Sequence, residues 1–256
     1  MRPRRLAARR HSAVALCLAV STAAGAAAAA PRWSYSGADG PDRWAAISNA
    51  FATCGSGHQQ SPIDLSAAVS RDLANPQIAY QPSDATIVDN GHAVEVDLGR
   101  AGNILTLDGV PYALVQLHFH SPSEHTIDGN SFAIELHLVH QADGGALAVV
   151  GVFIAGGAEN PALVPVLSAM PSKENREVRL RVPFDPSTLL PEDRRAYRYT
   201  GSLTTPPCSE GVNWVVMAKP ITASGQQIAA LARALEGNNR PVQARGDREI
   251  LLDSSP

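Results

Sequence analysis

The middle of the chain alternates apolar and polar residues with the period of two that is typical of a β-strand with one solvated face. Val94, Val96 and Leu98 are separated by two acidic residues. Further apolar runs follow at short spacing between glycine, proline or Asp-Gly turn signals, and each predicts another strand: 103–107, 112–117, 132–139, 146–154 and 212–218. The pattern predicts a mainly β (α+β) fold built on a large, mainly antiparallel sheet.

Helical patterns are fewer and lie outside this central region. One helix face is marked by apolar residues at helical spacing, namely Ile228, Leu231 and Leu235. Gly237 stands where the C-terminal cap of that helix belongs. Shorter helices are predicted over 42–50 and 161–170. Because the chain after residue 30 has no internal repeat, long linker or break in composition, we predict one domain over residues 31–256.

The first 30 residues have the pattern of an export signal. A basic segment with five arginines precedes an apolar run, 13–20, that is too short to span a bilayer, and small residues at 23–30 suit cleavage. Arg9 and Arg10 leave the twin-arginine route and the general route both open. We predict that residues 1–30 are removed and that the protein is periplasmic or extracellular.

The charge balance disfavours nucleic acid and anionic lipid as partners. The chain has 21 Lys and Arg against 24 Asp and Glu, a net charge of −3. Without the five arginines of residues 1–30, 16 basic residues face 24 acidic ones, a net charge of −8. No basic run remains to bind a phosphate backbone, and no membrane span is predicted. The sequence leaves monomer and dimer both open.

Two cysteines remain after the predicted signal, Cys54 and Cys208, because Cys17 belongs to the segment that is removed. Two cysteines in an exported chain usually pair, so we predict a Cys54–Cys208 disulfide. The alternative is two unrelated buried thiols.

Three histidines form the candidate chemical centre. His118 and His120 stand two residues apart, so on a strand both side chains lie on one face. His137 follows after Asp128-Gly129, a turn signal, and a hairpin about that dipeptide sets His120 opposite His137. Three imidazoles with no carboxylate among them are the ligand set of a catalytic zinc whose fourth position is open.

Two polar residues share the face of these histidines. Gln116 stands two residues before His118, and Glu135 stands two before His137. A zinc-bound imidazole usually donates its second N–H to such a partner, which fixes its tautomer and orientation. The alternative is that both are ordinary polar residues of half-exposed strands. His125 and His140 are predicted to make structural hydrogen bonds.

Two other metal sites are weighed against this one. His118, His120 and Glu124 fit HxHxxxE, the first motif of cupin sites that suit iron or manganese. Cupins need a later histidine in a glycine- and proline-containing motif, a setting that His137 and His140 lack. A zinc hydrolase is disfavoured because HExxH is absent and because we expect no free carboxylate beside the ligands.

Five motifs follow one another along the chain: QSPIDL (60–65), QLHFH (116–120), SEHTIDG (123–129), ELHLVH (135–140) and GSLTTPP (201–207). Together they closely resemble the alpha-class carbonic anhydrases, and bacterial exported members in particular. The three-histidine zinc site is known from that family itself. The resemblance implies a ten-stranded, mostly antiparallel twisted sheet with one zinc at the base of a conical cleft. It also implies reversible hydration of CO2 to bicarbonate and a proton, by attack of zinc-bound hydroxide.

The resemblance implies a role for each matched residue. His118, His120 and His137 match the zinc ligands, with Gln116 and Glu135 as their partners. The catalytic residues that it implies are Thr204, which accepts a hydrogen bond from the hydroxide, Glu124, which accepts the proton of Thr204, and His92, the proton shuttle. Residues that hold the water chain match Tyr35 and Asn90. Residues lining the cleft where CO2 binds match Thr205, Val139, Val149, Leu203, Val212 and Trp214.

The resemblance also bears on the disulfide and on catalysis. Cys54 and Cys208 match a disulfide that is common among exported members, and Ser61-Pro62 and Pro206-Pro207 match cis peptide bonds. A non-catalytic binding module of the same fold is the alternative function. Such relatives typically lose one or more zinc histidines, whereas this chain keeps all three together with Thr204 and Glu124.

Overall fold

The computed structural model describes residues 31–98, 102–171 and 173–254. The export signal predicted at residues 1–30 lies outside the described residues. The strands are β1 Val69–Arg71, β2 Gln77–Ala79, β3 Thr86–Asp89, β4 Val94–Asp97, β5 Ile104–Leu107, β6 Val110–His120, β7 Thr126–Ile127, β8 Asn130–Ser131, β9 Ile134–Gln141, β10 Leu147–Gly156, β11 Glu177–Arg179, β12 Ala196–Ser202, β13 Glu210–Met217, β14 Ile221–Ala223 and β15 Leu251–Asp253. The α-helices are α1 Trp44–Ile47, α2 Thr53–Ser56, α3 Val164–Ser168 and α4 Gly225–Leu235.

One large sheet dominates the fold. Ten strands follow one another in the order β1-β15-β12-β13-β10-β9-β6-β4-β3-β11, and three more, β2, β5 and β14, pair beside this path. Strand β10 pairs in parallel with β13 and β14, and β1 pairs in parallel with β15. The other described pairs are antiparallel, which confirms the predicted mainly antiparallel fold.

The long central strands are buried on both faces. Along β10, Val150 and Val152 lie in the larger apolar cluster, whereas Val149 and Phe153 lie in a second cluster on the opposite face. The period of two therefore sends alternate residues into two separate cores. This double burial explains why the sequence of β10 is a continuous apolar run.

Helix α4 packs on the larger cluster. Leu231 and Leu235, two of the three predicted face residues, are buried there. The helix begins with a capping box, in which the side chains of Ser224 and Gln227 each accept a hydrogen bond from the other residue's backbone N–H. It ends at Leu235, and the capping residue is Glu236, whose φ is 49°; the predicted cap, Gly237, follows one position later with a φ of 78°.

The two shorter helical predictions were too long. Each region contains a 3₁₀ turn followed by a short α-helix: Pro41–Arg43 before α1, and Pro161–Leu163 before α3. A proline opens each turn, which fits the fixed φ of proline at a helix start.

The register of the ligand strands differs from the prediction. Around Asp128-Gly129, β7 and β8 pair as a hairpin. Strands β6 and β9, however, pair His118 with His137 and His120 with Glu135. The prediction that His120 lies opposite His137 is therefore wrong. The reason is that the segment after β6 leaves the sheet before β7 begins. This segment contains two more residues than the segment that returns from β8 to Glu135, the residue paired with His120.

The disulfide and the cis bonds are found as expected. Cys54 of α2 bonds to Cys208 in the loop between β12 and β13, which confirms the predicted pair. The peptide bonds before Pro62 and Pro207 are cis, and so is the bond before Pro122. Among the residues described, none of the helices is long and apolar enough to cross a membrane.

Candidate metal centre

The structure brings His118, His120 and His137 together on one face of the sheet. One nitrogen of each ring lies within 4.8 Å of the others. The ring centroids are 4.9 Å apart for His118 and His120, 5.3 Å for His118 and His137, and 4.6 Å for His120 and His137. The error in register does not separate them, because a shift of two residues keeps every side chain on its face.

Each of the three rings is oriented by a hydrogen bond to its second nitrogen. His118 Nδ1 lies 2.8 Å from Gln116 Oε1, and His137 Nε2 lies 2.9 Å from Glu135 Oε1. His120 Nδ1 lies 2.7 Å from the backbone oxygen of Asn238. These bonds leave Nε2 of His118, Nε2 of His120 and Nδ1 of His137 for a metal ion.

Burial keeps the three imidazoles uncharged. It lowers the pKa of His120 to about 4 and the pKa of His118 well below the usual value. It also lowers the pKa of His137, against the opposing effect of Glu135. Neutral imidazole is the form that binds a metal, so the ligands are available at neutral pH.

Glu135 connects a ligand to the surrounding core. Its carboxylate also accepts backbone N–H groups of Glu124 at 2.9 Å and His125 at 2.8 Å, and it lies 2.7 Å from His125 Nδ1. Burial acts to raise the pKa of Glu135, but the electrostatic attraction of the His125 and His137 rings and the hydrogen bonds with them outweigh burial and hold the pKa well below its usual value. Glu135 is thus an ionised acceptor that fixes the tautomer of His137.

The other two buried histidines have the structural hydrogen bonds predicted for them. His125 Nε2 lies 2.7 Å from the hydroxyl of Tyr199. His140 Nε2 lies 2.6 Å from the hydroxyl of Tyr80.

Replacing Glu135 by glutamine is expected to weaken zinc binding by about 10- to 100-fold, the range for partners of metal-bound histidines. The amide removes the negative charge next to His137 and presents two N–H donors where acceptors are needed. Competition with a chelator of known affinity measures the change. The exposed Glu177→Gln is the matched control, and equal affinities for both variants would contradict the assigned role.

The donor set fits a zinc ion. His120 Nε2 is buried and has no hydrogen-bond partner within the described residues. A buried polar atom without a partner is costly, and a cation at this point would satisfy it. Three neutral imidazole nitrogens are ligands that suit zinc, and they leave a fourth position for water.

The carboxylate of Glu124 lies beside the nitrogens that His120 and His137 leave for a metal. Its Oε1 accepts the backbone N–H of Arg240 at 2.8 Å. Its Oε2 lies 3.5 Å from His120 Nε2 and 3.8 Å from His137 Nδ1. The segment that leaves the sheet after β6 returns the Glu124 side chain to the three rings.

Thr204 is in contact with Glu124. Burial raises the pKa of Glu124 to about 7, and His137, the backbone N–H of Arg240 and a hydrogen bond with Thr204 oppose this shift. Thr204 itself is 5% exposed. Thr205 is half-buried, and its carbonyl accepts the N–H of Cys208 at 2.8 Å, so the disulfide closes the turn that carries both threonines.

The apolar residues matched to the cleft wall lie in one cluster. Val149, Val212 and Trp214 are buried, with Val139 and Leu203 packed against them. The ring of Trp214 lies 4.9 Å from that of His137, measured between centroids. The wall therefore adjoins the ligand set.

His92 lies at the edge of a groove. Its ring stacks on Trp33, with centroids 3.7 Å apart and planes 8° apart. Both rings line a groove of about 340 Å³ together with Tyr35. The Tyr35 hydroxyl is buried without a hydrogen-bond partner among the described residues, and burial and then the charge of Glu124 raise its pKa. Asn90 Oδ1 accepts the backbone N–H of His92 at 3.0 Å and so shapes the turn.

Comparison with known proteins decides the family. The family model described as "Eukaryotic-type carbonic anhydrase" matches residues 39–254. A carbonic anhydrase of Klebsiella pneumoniae is 39% identical over 224 residues, which are 87% of this chain and 91% of that protein. The chain belongs to the eukaryotic-type, or alpha-class, carbonic anhydrase family. A carbonic anhydrase of Nostoc sp. is 41% identical over 225 residues, covering 86% of this chain and 85% of the relative.

A solved structure of the family has the same fold. The alpha-carbonic anhydrase of Thermovibrio ammonificans, in complex with the inhibitor sulfanilamide, is 41% identical and superposes with a TM-score of 0.84. The match covers 86% of this chain and 99% of the other. Membership in the carbonic anhydrase family confirms the resemblance found in the sequence, rejects the cupin alternative and supports carbonate dehydratase activity.

Two residues of this carbonic anhydrase site were not predicted from the sequence. Asn238 holds His120 through its backbone oxygen, which any residue type can supply. Arg240 is buried, and its side chain donates to Gln60 Oε1 at 2.9 Å, the Ser61 carbonyl at 2.8 Å and the Cys54 carbonyl at 3.0 Å. An arginine directly after two asparagines was the only sign that the sequence offered.

Proposed function

We propose that this protein is a zinc-dependent carbonate dehydratase that interconverts CO2 and water with bicarbonate and a proton. One observation carries the proposal: three neutral imidazoles, each fixed by a hydrogen bond, present their remaining nitrogens to one point. One zinc ion per chain would be held there by His118, His120 and His137. The second candidate, a non-catalytic module, has no such observation in its favour.

The metal supplies the acid needed to activate water. When bound by three uncharged ligands, zinc keeps its full charge and lowers the pKa of a bound water to about 7, a value already known for carbonic anhydrases and not obtained from this chain. The protein's part is to keep the ligands neutral and oriented. Gln116, Glu135 and the carbonyl of Asn238 do this through the second nitrogen of each ring.

Thr204 and Glu124 would orient the reacting water. The Thr204 hydroxyl has one proton, and if Glu124 accepts it, the Thr204 oxygen can only accept a further hydrogen bond. The attacking oxygen must then direct its own O–H towards Thr204, which leaves a lone pair free for the carbon of CO2. Fixing this orientation before reaction is a positional contribution to catalysis.

The apolar wall would receive CO2. Because CO2 is small and has no net charge, it needs a dry surface near the metal and no ionic contact. Val149, Val212 and Trp214 provide buried apolar surface beside His137. Val139, Leu203 and Thr205 would complete this surface.

His92 would carry the proton between the site and solvent. Its ring is half-buried, and burial lowers its pKa below the usual 6.5, against the opposing effect of Glu174. Above that pKa the ring is a free base that can accept a proton during CO2 hydration, and below it the ring can donate during dehydration. Tyr35 and Asn90 would hold the water molecules between the site and His92.

A stopped-flow assay of CO2 hydration by the zinc-loaded protein tests the proposal. We expect a catalysed rate that requires zinc. A rate no faster than that of buffer alone would reject the function.

Replacing His92 by alanine is expected to lower turnover in weak buffer by roughly tenfold or more, because the proton must leave without a relay. Added imidazole should restore the rate. In the unmodified protein, turnover in weak buffer should rise with pH about a midpoint below 6.5. The exposed His58→Ala is the matched control, and equal rates in both variants would exclude His92 as the shuttle.

We also propose that residues 1–30 are removed during export, to a periplasm or to the medium. The disulfide supports this location, because such bonds persist in oxidising compartments. N-terminal sequencing of the protein recovered from its native compartment is the test. A mature chain that begins near residue 31 is expected, whereas an intact N-terminus in the cytoplasm would contradict export.

A further inference from the structure

Asn238 makes contacts that its role at His120 does not require. It is 2% exposed and follows α4 by three residues. Its side-chain Oδ1 accepts the N–H of Ser121 at 3.0 Å. Its Nδ2 donates to the carbonyl of Phe119 at 2.9 Å and to the carbonyl of His92 at 3.0 Å. One side chain therefore joins the end of the ligand strand to the turn that carries His92.

The bridge lies where backbone pairing stops. Strands β4 and β6 pair from Asp97 with Gln116 to Glu95 with His118. Beyond this pair, the backbone carbonyls of His92 and Phe119 are joined by the two N–H donors of the Asn238 amide. The side chain thus continues the connection between the two strands past the end of the ladder.

The hydrogen bonds within the turn itself do not fix its position relative to the ligands. Asn90 Oδ1 accepts the N–H groups of His92 at 3.0 Å and Ala93 at 2.9 Å, and the N–H of Asn90 donates to the Ala93 carbonyl at 3.1 Å. These bonds are local and shape the turn. The Asn238 amide, in contrast, bonds both to this turn and to the segment that carries His120.

Asparagine suits this position in a way that aspartate does not. The two carbonyl oxygens require two N–H donors, and the N–H of Ser121 requires an acceptor. A carboxylate would keep the acceptor and would place an oxygen against both carbonyls. Helix α4 provides the anchor, since Leu231 and Leu235 are buried in the larger core just before Asn238.

We propose that Asn238 is a positioning residue that holds the proton-shuttle turn of His92 at a fixed place relative to the zinc ligand His120. The inference rests on the proposed function and extends it. Its consequence is that the side chain of Asn238 governs proton transfer, whereas its backbone oxygen orients the ligand.

Steady-state CO2 hydration by the zinc-loaded Asn238→Asp variant tests the inference. We expect kcat in weak buffer to fall by about tenfold, the scale of a modest misplacement of a reacting group. We expect kcat/KM for CO2 to change by less than about threefold, because the backbone oxygen that holds His120 is still present. Imidazole at high concentration should restore kcat. The ratio of kcat with and without imidazole does not depend on how much of the enzyme is folded.

Asn103→Asp is the matched control. Asn103 is also fully buried, and its side chain accepts the N–H of Gln81 at 2.8 Å and donates to Ser83 Oγ at 2.8 Å. Its substitution should affect stability and leave the imidazole ratio unchanged. If Asn238→Asp does not fold, Asn238→Ser replaces it, since serine keeps one donor in a smaller side chain. This variant is expected to raise the ratio of kcat with and without imidazole to a lesser extent.

The outcomes separate this inference from the proposed function. If the unmodified protein does not hydrate CO2, the proposed function is wrong. If imidazole does not raise the turnover of His92→Ala, the assignment of His92 as the shuttle is wrong. If both behave as proposed and the Asn238 variants keep the ratio of the unmodified protein, the positioning role of Asn238 is overturned.

Discussion

Replacing His120 by alanine is expected to reduce CO2 hydration to the buffer rate. The change removes one of three ligands and leaves an incomplete site of two imidazoles. Because loss of a partner behind a ligand already costs 10- to 100-fold in metal affinity, loss of the ligand itself should cost more than about 100-fold. Zinc content per chain after dialysis, measured by mass spectrometry, and stopped-flow CO2 hydration are the two readouts.

His140→Ala is the matched control for this variant. His140 lies on the same strand as His137, is equally buried and bonds to the Tyr80 hydroxyl on the opposite face. Its replacement should lower stability but leave about one zinc per folded chain. Full zinc content and activity in His120→Ala would contradict the ligand assignment, and so would loss of zinc from His140→Ala alone.

Removing the disulfide is expected to lower the free energy of unfolding by about 2–5 kcal/mol. The bond joins residues separated by 154 positions, a long loop whose closure restricts the unfolded chain strongly. In the folded state it ties α2 to the turn that carries Thr204 and Thr205. The carbonyls of both cysteines are also held, that of Cys54 by Arg240 and that of Cys208 by Gln60.

Denaturant titration of the Cys54→Ser, Cys208→Ser double variant measures this effect. The unmodified protein and the double variant, each with and without reductant, form the comparison. Reductant should shift the unfolding midpoint of the unmodified protein towards that of the double variant and leave the variant unchanged. Midpoints that agree for all samples would show that the bond does not contribute to stability.

Much of the fold and of the metal centre follows from regular patterns. The period of two placed the strands around His118 and His137, and it placed Gln116 and Glu135 on the faces of their ligands. These predictions depend only on alternation along a strand, so an error of two residues in register did not affect them. The two cysteines were paired from their number and the export signal alone.

The rest depends on contacts that have no period. Asn238 O reaches His120 from a segment beyond α4, and Trp33 stacks on His92 from the start of the described chain. The position of Glu124 depends on the segment between β6 and β7, which leaves the sheet and has neither the strand nor the helix pattern. Such contacts are set by tertiary packing, so the sequence provided only residue types and no geometry.

Zinc titration of the metal-free protein, followed by stopped-flow CO2 hydration, tests the central claim most directly. Three neutral imidazoles that share one ion predict a rate that rises linearly and stops rising at one zinc per chain. A protein that binds one zinc and hydrates CO2 no faster than buffer, or one that binds no zinc, would contradict it.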